Sequence, residues 1–172
     1  MTGHGRALRS MHVLPKIALG ALLLGAIAVM LVGVFLRYVM VPVTDALDLP
    51  AINFFWVEET GETLLAWLAL LGAGVGIAER AHFGLTIVVH RLSPRLQRVI
   101  RIVNLILIAV FGGFLAWQGW KLAALNALLG SPALGISLAW LYSSAFVGGV
   151  AIVLYAITGV AGAAADPKAP GA

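Results

Sequence analysis

Four charged residues beside apolar segments are the ones in this chain whose types and spacing could do chemistry. Arg37 follows the first apolar run, and Glu58, Glu59 and Glu62 lie at the start of the second. Glu58 and Glu62 are four residues apart, so they share one face of a helix. A charge at the centre of a membrane span costs about 2.5–3.5 kcal/mol, and less toward the interface, so these groups need partners or water.

Three interpretations of these charges are open from the residues alone. The first is an interfacial anchor, with Trp56 in an aromatic belt and acids at a helix start. The second is a buried contact, in which Arg37 pairs with one of the three glutamates or a glutamate binds a partner subunit. The third is a proton- or cation-coupling site, which is disfavoured because no second acid lies deep in another apolar segment.

A basic stripe follows a short segment in the middle of the chain. Residues 81–92 are too few to span a membrane and are typical of an interfacial helix or turn. Ser93-Pro94 then predicts a helix start, with serine as N-cap and proline at the first position. Spacings of four, three and three residues separate Arg91, Arg95, Arg98 and Arg101. We predict that this stripe binds anionic lipid head groups, with docking to acids of a partner subunit as the alternative.

The chain lacks the residues that several kinds of chemistry require. The chain has no cysteine, which excludes disulfides, thiolate metal sites and cysteine nucleophiles. Its four histidines (His4, His12, His82 and His90) lie outside the long apolar runs, so no facing pair could hold haem there. No glycine-rich phosphate loop is present. We expect no cofactor, no metal ion and no nucleic-acid partner.

The elements that must position the charged residues follow from composition. Of 172 residues, 62% are hydrophobic and 10% are charged, whereas a soluble domain has about 25% charged residues. A soluble fold of this size could not bury so much apolar surface, which excludes a soluble enzyme, and the same composition excludes disorder. Four apolar runs could cross a membrane: about 17–36, 63–78 (beginning near Trp56), 102–120 and 138–160. Their continuity predicts helices rather than barrel strands.

We predict an all-α membrane protein with four transmembrane helices and an interfacial segment between helices two and three. Its predicted parts are an N-terminal tail (1–14), a transmembrane domain (15–162) and a C-terminal tail (163–172). A cleaved signal peptide is the competing interpretation of the first run, but the run continues past Ala26-Ile27-Ala28 to Leu36, which favours an uncleaved span. Glycines inside the spans predict close helix packing: Gly72, Gly74, Gly76, Gly112-Gly113 and Gly148-Gly149.

The distribution of basic residues predicts the orientation. Nine of the eleven Lys and Arg residues lie before span one, between spans two and three or after span four, and the exceptions are Arg37 and Lys121. Because short loops rich in Lys and Arg stay in the cytoplasm, we predict that both termini are cytoplasmic. The loops 40–56 and 122–137 then lie outside.

Short motifs along most of the chain resemble one transporter family. In order, they are Arg37-Tyr38, Trp56-Val57-Glu58-Glu59, Trp67, Leu71-Gly72-Ala73, Glu79-Arg80-Ala81-His82-Phe83-Gly84, Ser131-Pro132-Ala133-Leu134-Gly135-Ile136, Trp140 and Tyr142. With four spans and both ends inside, this combination is similar to the small membrane subunit, of the DctQ type, of tripartite ATP-independent periplasmic (TRAP) transporters. The resemblance covers roughly residues 17–160.

The resemblance implies a non-enzymatic scaffold in the bacterial inner membrane. In such systems a periplasmic binding protein captures an organic acid or similar solute, and a large membrane subunit carries the solute and sodium sites. The implied partners of this chain are that large subunit, the binding protein in the assembled complex, and phospholipids. The candidate structural or partner contacts are Arg37, Trp56, Glu58, Glu59, Glu62 and Trp67.

Two other functions are weighed against the scaffold. A membrane anchor of an oxidoreductase, such as a quinone-reactive haem subunit, is disfavoured by the lack of histidines in the spans. A small autonomous exporter would place a lone acid in the middle of a span, whereas the acids here lie near the end of the second span.

Overall fold

The computed structural model describes residues 3–50, 53–78 and 93–165, with side chains for 15–50, 53–77, 93 and 96–160. The elements of this described chain are α1 (Gly3–Phe35), a π-helical turn (Leu36–Met40), α2 (Val41–Ala46), α3 (Phe55–Ala78), α4 (Pro94–Leu125) and α5 (Ala139–Ala165). Among them, four stretches are long and apolar enough to cross a membrane: Pro15–Ala46, Phe55–Ile77, Leu96–Leu125 and Ala139–Val160. The predicted all-α fold with four spanning helices is confirmed.

The first span is longer than the sequence predicts. A helix end at Leu36, with Arg37 closing the span, is wrong, because the helix continues through the π-helical turn and α2 to Ala46. The Val41 N–H donates to Leu36 O, five residues back. Pro42 follows at once and has no N–H to donate, and the wide turn before it lets the helix continue without that bond. Arg37 therefore lies inside a helix and not in its last turn.

Backbone hydrogen bonds end this first helix. Asp48 has a φ of 52°, the left-handed conformation that glycine usually supplies at a helix end. The Asp48 N–H donates to Asp45 O at 3.4 Å, and the Leu49 N–H donates to Thr44 O at 2.9 Å. These two bonds satisfy carbonyl groups of the last turn and give the chain a sharp exit from the helix.

Polar residues mark the starts of α3 and α4. Asn53 Oδ1 accepts a hydrogen bond of 3.1 Å from the Phe55 N–H and caps α3. The helix α4 begins at Pro94, and the Gln97 N–H donates to Ser93 O at 3.1 Å. The start at Ser93-Pro94 agrees with the sequence prediction, because proline fits the first helical position, where its missing N–H is not needed.

Two helices extend beyond the predicted boundaries of the transmembrane domain. The helix α1 begins at Gly3, within the predicted 1–14 tail, and α5 continues to Ala165, past the predicted boundary at 162. The predicted interfacial segment, residues 81–92, lies outside the described residues.

Contacts divide the chain into two units: Met1–Ala69 with Leu122–Tyr142, and Leu70–Lys121 with Ser143–Ala172. In the first unit, α1 packs along α3 through glycines of both helices. A Cβ at Gly25 would lie 3.8 Å from Leu64 Cδ1, and a Cβ at Gly33 would come 2.7 Å from Val57 Cγ1. Val57 is only 3% exposed. Residues without side chains thus let the two helices approach closely, as in other membrane proteins.

In the second unit, α5 packs against both α3 and α4. Its buried face consists of Ser144, Gly148, Gly149, Ile152 and Ala156. A Cβ at Gly148 would come 2.7 Å from Leu70 Cβ on α3, and a Cβ at Gly149 would come 2.7 Å from Gly112 O on α4.

The predicted glycine packing faces are observed at some positions and not at others. Gly74, Gly112, Gly148 and Gly149 lie against neighbouring helices, whereas Gly76 and Gly113 face open space. A local glycine pattern therefore indicates that helices pack closely but does not identify which glycines make the contacts.

Candidate functional site

Arg37 and the glutamates of α3 lie where the π-helical turn, the start of α3 and the loop between α4 and α5 come together; we call this region the hairpin end. At this end Arg37 Nη2 donates to Glu58 Oε1 at 2.7 Å. The Arg37 guanidinium also lies over the Phe54 ring, 5.4 Å from its centroid. Both charged side chains are more than half exposed, at 55% and 59%. The structure thus places Arg37 against one of the three candidate glutamates, in the first turn of α3.

The loop between α4 and α5 folds as a hairpin, residues 126–138. The Leu138 N–H donates to Leu129 O at 2.9 Å, and the Ser131 N–H donates to Ile136 O at 2.7 Å. Between them, residues 131–135 form one isolated helical turn, closed by the Gly135 N–H donating to Ser131 O at 3.0 Å. Gly135 has a φ of +67°, and this left-handed conformation, which glycine adopts freely, lets the chain leave the turn.

Glu59 binds this isolated turn across the unit. Its Oε2 accepts hydrogen bonds from the Ala133 N–H at 3.0 Å and the Leu134 N–H at 2.9 Å. The start of any helical turn leaves N–H groups without partners and carries a partial positive charge, so a carboxylate there is doubly favourable. Glu59 therefore caps a turn more than seventy residues away and fixes the hairpin to α3.

Ser131 lies at the same contact. Its side chain lies beside the Glu59 carboxyl group and is 6% exposed. In the described part of the chain, Ser131 Oγ and Glu59 Oε1 are both buried and have no hydrogen-bond partner. A buried polar atom without a partner is costly, and a serine hydroxyl beside a carboxylate is a group that can donate to it.

The other candidates on α3 differ in their contacts. Trp67 Nε1 donates to Trp140 O at 3.1 Å and joins α3 to the start of α5. Trp56 lies in the first turns of α3 and is 37% exposed. Its carbonyl oxygen accepts a hydrogen bond of 2.6 Å from the Thr60 hydroxyl. Glu62 is exposed and has neither a hydrogen bond nor an ion pair with any described residue.

The structure describes the basic stripe only in part. Arg95, Arg98 and Arg101 lie in the first turns of α4, with the side chain of Arg98 exposed and that of Arg101 half-buried. Arg91 and the side chain of Arg95 lie outside the described residues. The lipid contact therefore stays a prediction. Within the described residues, no group of His, Cys, Asp or Glu could hold a metal ion.

Sequence reasoning missed the role of Glu59 in capping the hairpin. The available signal was Ser131-Pro132, a pair typical of a helix start, followed by Gly135 before a helix could form. One turn between these residues leaves N–H groups that need an acceptor. Glu59 is one of three neighbouring acids, and the pattern alone does not select it.

Comparison with known proteins agrees with the fold. The family described as tripartite ATP-independent periplasmic transporters, DctQ component, matches residues 26–165. The sialic acid TRAP transporter small permease protein SiaQ of Vibrio cholerae is 30% identical to this chain over 100 residues, which is 57% of each protein. The chain thus spans somewhat more than half the length of that curated relative.

The family match covers most of the chain, including all of α3, α4 and α5. With the four spanning helices, it identifies a multi-pass protein of the bacterial inner membrane. The chain therefore belongs to the DctQ-component family of TRAP transporters, a family of transport components rather than of enzymes.

Proposed function

We propose that this chain is the small permease subunit that binds and braces the large membrane subunit of a TRAP transporter. A periplasmic binding protein captures an organic acid or similar solute, and the transporter takes up this solute in a process driven by sodium. The family match over residues 26–165 carries this proposal.

The geometry of the hairpin end supports a bracing role. Arg37 is engaged by Glu58, and Glu59 is engaged by the backbone of the hairpin. These contacts fix the start of α3 to the first helix and to the hairpin, so the charges act as structural groups. A carrier needs polar groups that are free to bind and release a solute, and these are already occupied.

The substrate class is taken from the relative and from the division of labour in the family. The Vibrio cholerae relative is named for sialic acid, an organic acid. We propose the broader class for this chain, with the choice of solute made by the binding protein and the large subunit. Both termini are cytoplasmic in this arrangement, and the hairpin end faces the periplasm. Fusions of a periplasm-specific and a cytoplasm-specific reporter to the C-terminus test the orientation.

We also propose that Arg91, Arg95, Arg98 and Arg101 contact anionic head groups at the cytoplasmic surface. Each basic residue near such a surface contributes about 1 kcal/mol of attraction. Replacing the four with glutamine should remove the stabilisation of the purified protein by phosphatidylglycerol over phosphatidylcholine. Equal stabilisation of both proteins would contradict the contact.

The experiment that tests the main proposal is co-purification combined with deletion. A tagged copy of this chain, expressed with its large subunit and binding protein, should retain the large subunit through detergent extraction. Deleting the chain should abolish solute uptake by cells while the binding protein is still secreted. Normal uptake without the chain, or purification without the large subunit, would contradict the proposal.

A further inference from the structure

Helix α3 has two covered faces in the first unit. One face packs against α1 through Val57, Gly61 and Leu64. A second face holds the hairpin and the start of α5 through Glu59 and Trp67. At 100° per residue, these two faces lie about 120° apart around the helix, which leaves one further face of similar width.

The third face, which we call the open face, is made of residues 55, 58, 62, 65 and 69. All five are exposed, including Phe55 at 65% and Leu65 at 47%. Their spacing of three, four, three and four residues is the heptad spacing by which one helix packs along another. Ala69 at its far end is small enough for a close approach of two helices. The open face therefore has the pattern of a helix–helix contact.

The open face also carries Glu62, a charge without a partner among the described residues. Glu62 lies six residues beyond Trp56, which places it about 9 Å farther along the helix. Within the described chain it pairs with nothing, and the nearby cation Arg37 is already bound to Glu58. A carboxylate that faced lipid at this depth would be costly. We infer that a transmembrane helix of the large subunit packs on the open face and presents a lysine or arginine to Glu62.

Two other occupants fit the charges less well. A second copy of this chain would bring Glu62 against the same acid, so like charges would oppose that contact. A lipid amine lies in the head-group layer, whereas Glu62 lies about two helical turns below the start of α3. A basic side chain on a neighbouring helix can reach this depth. The inference rests on the proposed function, because the large subunit is the membrane partner that the function requires.

Cross-linking in the assembled complex tests which molecule covers the open face. The chain has no native cysteine, so Leu65→Cys or Ala69→Cys introduces one unique site for a photoactivatable maleimide. Both sites should give an adduct with the large subunit, and the matched control Leu64→Cys, on the face against α1, should not. Adducts at 65 and 69 with lipid alone or with a second copy of the chain would overturn the inference.

Charge variants of Glu62 test the basic partner. Glu62→Lys should lower the amount of co-purified large subunit roughly tenfold or more, because the new lysine would repel the basic residue of the partner. Glu62→Asp keeps the negative charge and should retain the large subunit. The melting temperature of the isolated chain should not change, since Glu62 has no described partner within it. Normal retention by Glu62→Lys would overturn the inference and leave the proposed function intact. Absence of the large subunit from the unmodified complex would overturn both.

Discussion

In the first unit, side-chain carboxylates fix the start of α3 to the first helix and to the hairpin, whereas in the second unit glycine backbones form the closest helix contacts. Glu58 and Glu59 bind a guanidinium and two N–H groups through directional bonds of 2.7 to 3.0 Å. Gly112 and Gly149 instead bring the backbones of α4 and α5 together without polar side chains. The carboxylate bonds tolerate changes in side-chain volume nearby, but they are lost when the charge of the carboxylate is removed. Glycine contacts tolerate changes of charge elsewhere and fail when a single carbon is added.

The largest expected effect comes from adding one carbon to the second unit. Gly149→Ala would place a Cβ 2.5 Å from Ala116 N and 2.7 Å from Gly112 O. Backbone atoms cannot rotate away, so we expect a loss of about 3 kcal/mol in the free energy of unfolding. The matched control Gly113→Ala meets open space and should leave stability equal or slightly higher. Unfolding by SDS in mixed micelles measures both, and equal stabilities would contradict the glycine contact.

The next effect comes from removing the hairpin cap. Glu59→Ala leaves the N–H groups of Ala133 and Leu134 without their acceptor, so the hairpin should detach from α3. We expect a melting temperature between those of Gly149→Ala and the wild-type protein. Hydrogen exchange at these two amides should accelerate, whereas Glu62→Ala should leave both rates unchanged. Unchanged exchange in Glu59→Ala would show that the hairpin is held by other contacts.

A smaller effect is expected from the Arg37–Glu58 pair. Both side chains are more than half exposed, so their coupling should be at most about 1 kcal/mol. Arg37→Glu and Glu58→Arg should each lower stability and assembly with the large subunit, and the double charge swap should recover part of both losses. A double-mutant cycle measures the coupling. Zero coupling energy would mean that the contact has no energetic role.

The smallest effect is expected where the first helix ends. Asp48 adopts a φ of 52°, which costs less for glycine than for a residue with a side chain. Asp48→Gly should therefore raise the free energy of unfolding by about 0.5 kcal/mol, after the greater chain entropy of glycine is subtracted. Asp45→Gly, in the helical part of the same turn, should lower it. A loss of stability in Asp48→Gly would contradict the left-handed helix end.

The four spans could be predicted because a run of about 20 apolar residues is a local property of the chain. The end of the first span could not. Arg37 ends the apolar run, but the helix continues past it, and a wide turn lets it continue through Pro42 without the proline N–H. That turn depends on backbone geometry that no single residue type signals.

The pairing of Arg37 with a glutamate could be proposed from the cost of charge near lipid, but its choice of Glu58 could not. Successive residues on a helix point about 100° apart. Glu58 faces Arg37, Glu59 faces the hairpin and Glu62 faces outward. These assignments depend on where α1 and the hairpin lie, and such long-range contacts are not encoded in local spacing.

Solute uptake into proteoliposomes tests the central claim most directly. Four preparations are compared, each with the binding protein, its solute and a sodium gradient: this chain alone, the large subunit alone, both together and neither. Uptake should occur only with both, because this chain braces a carrier and carries nothing itself. Uptake by this chain alone, or full uptake by the large subunit alone, would contradict the account.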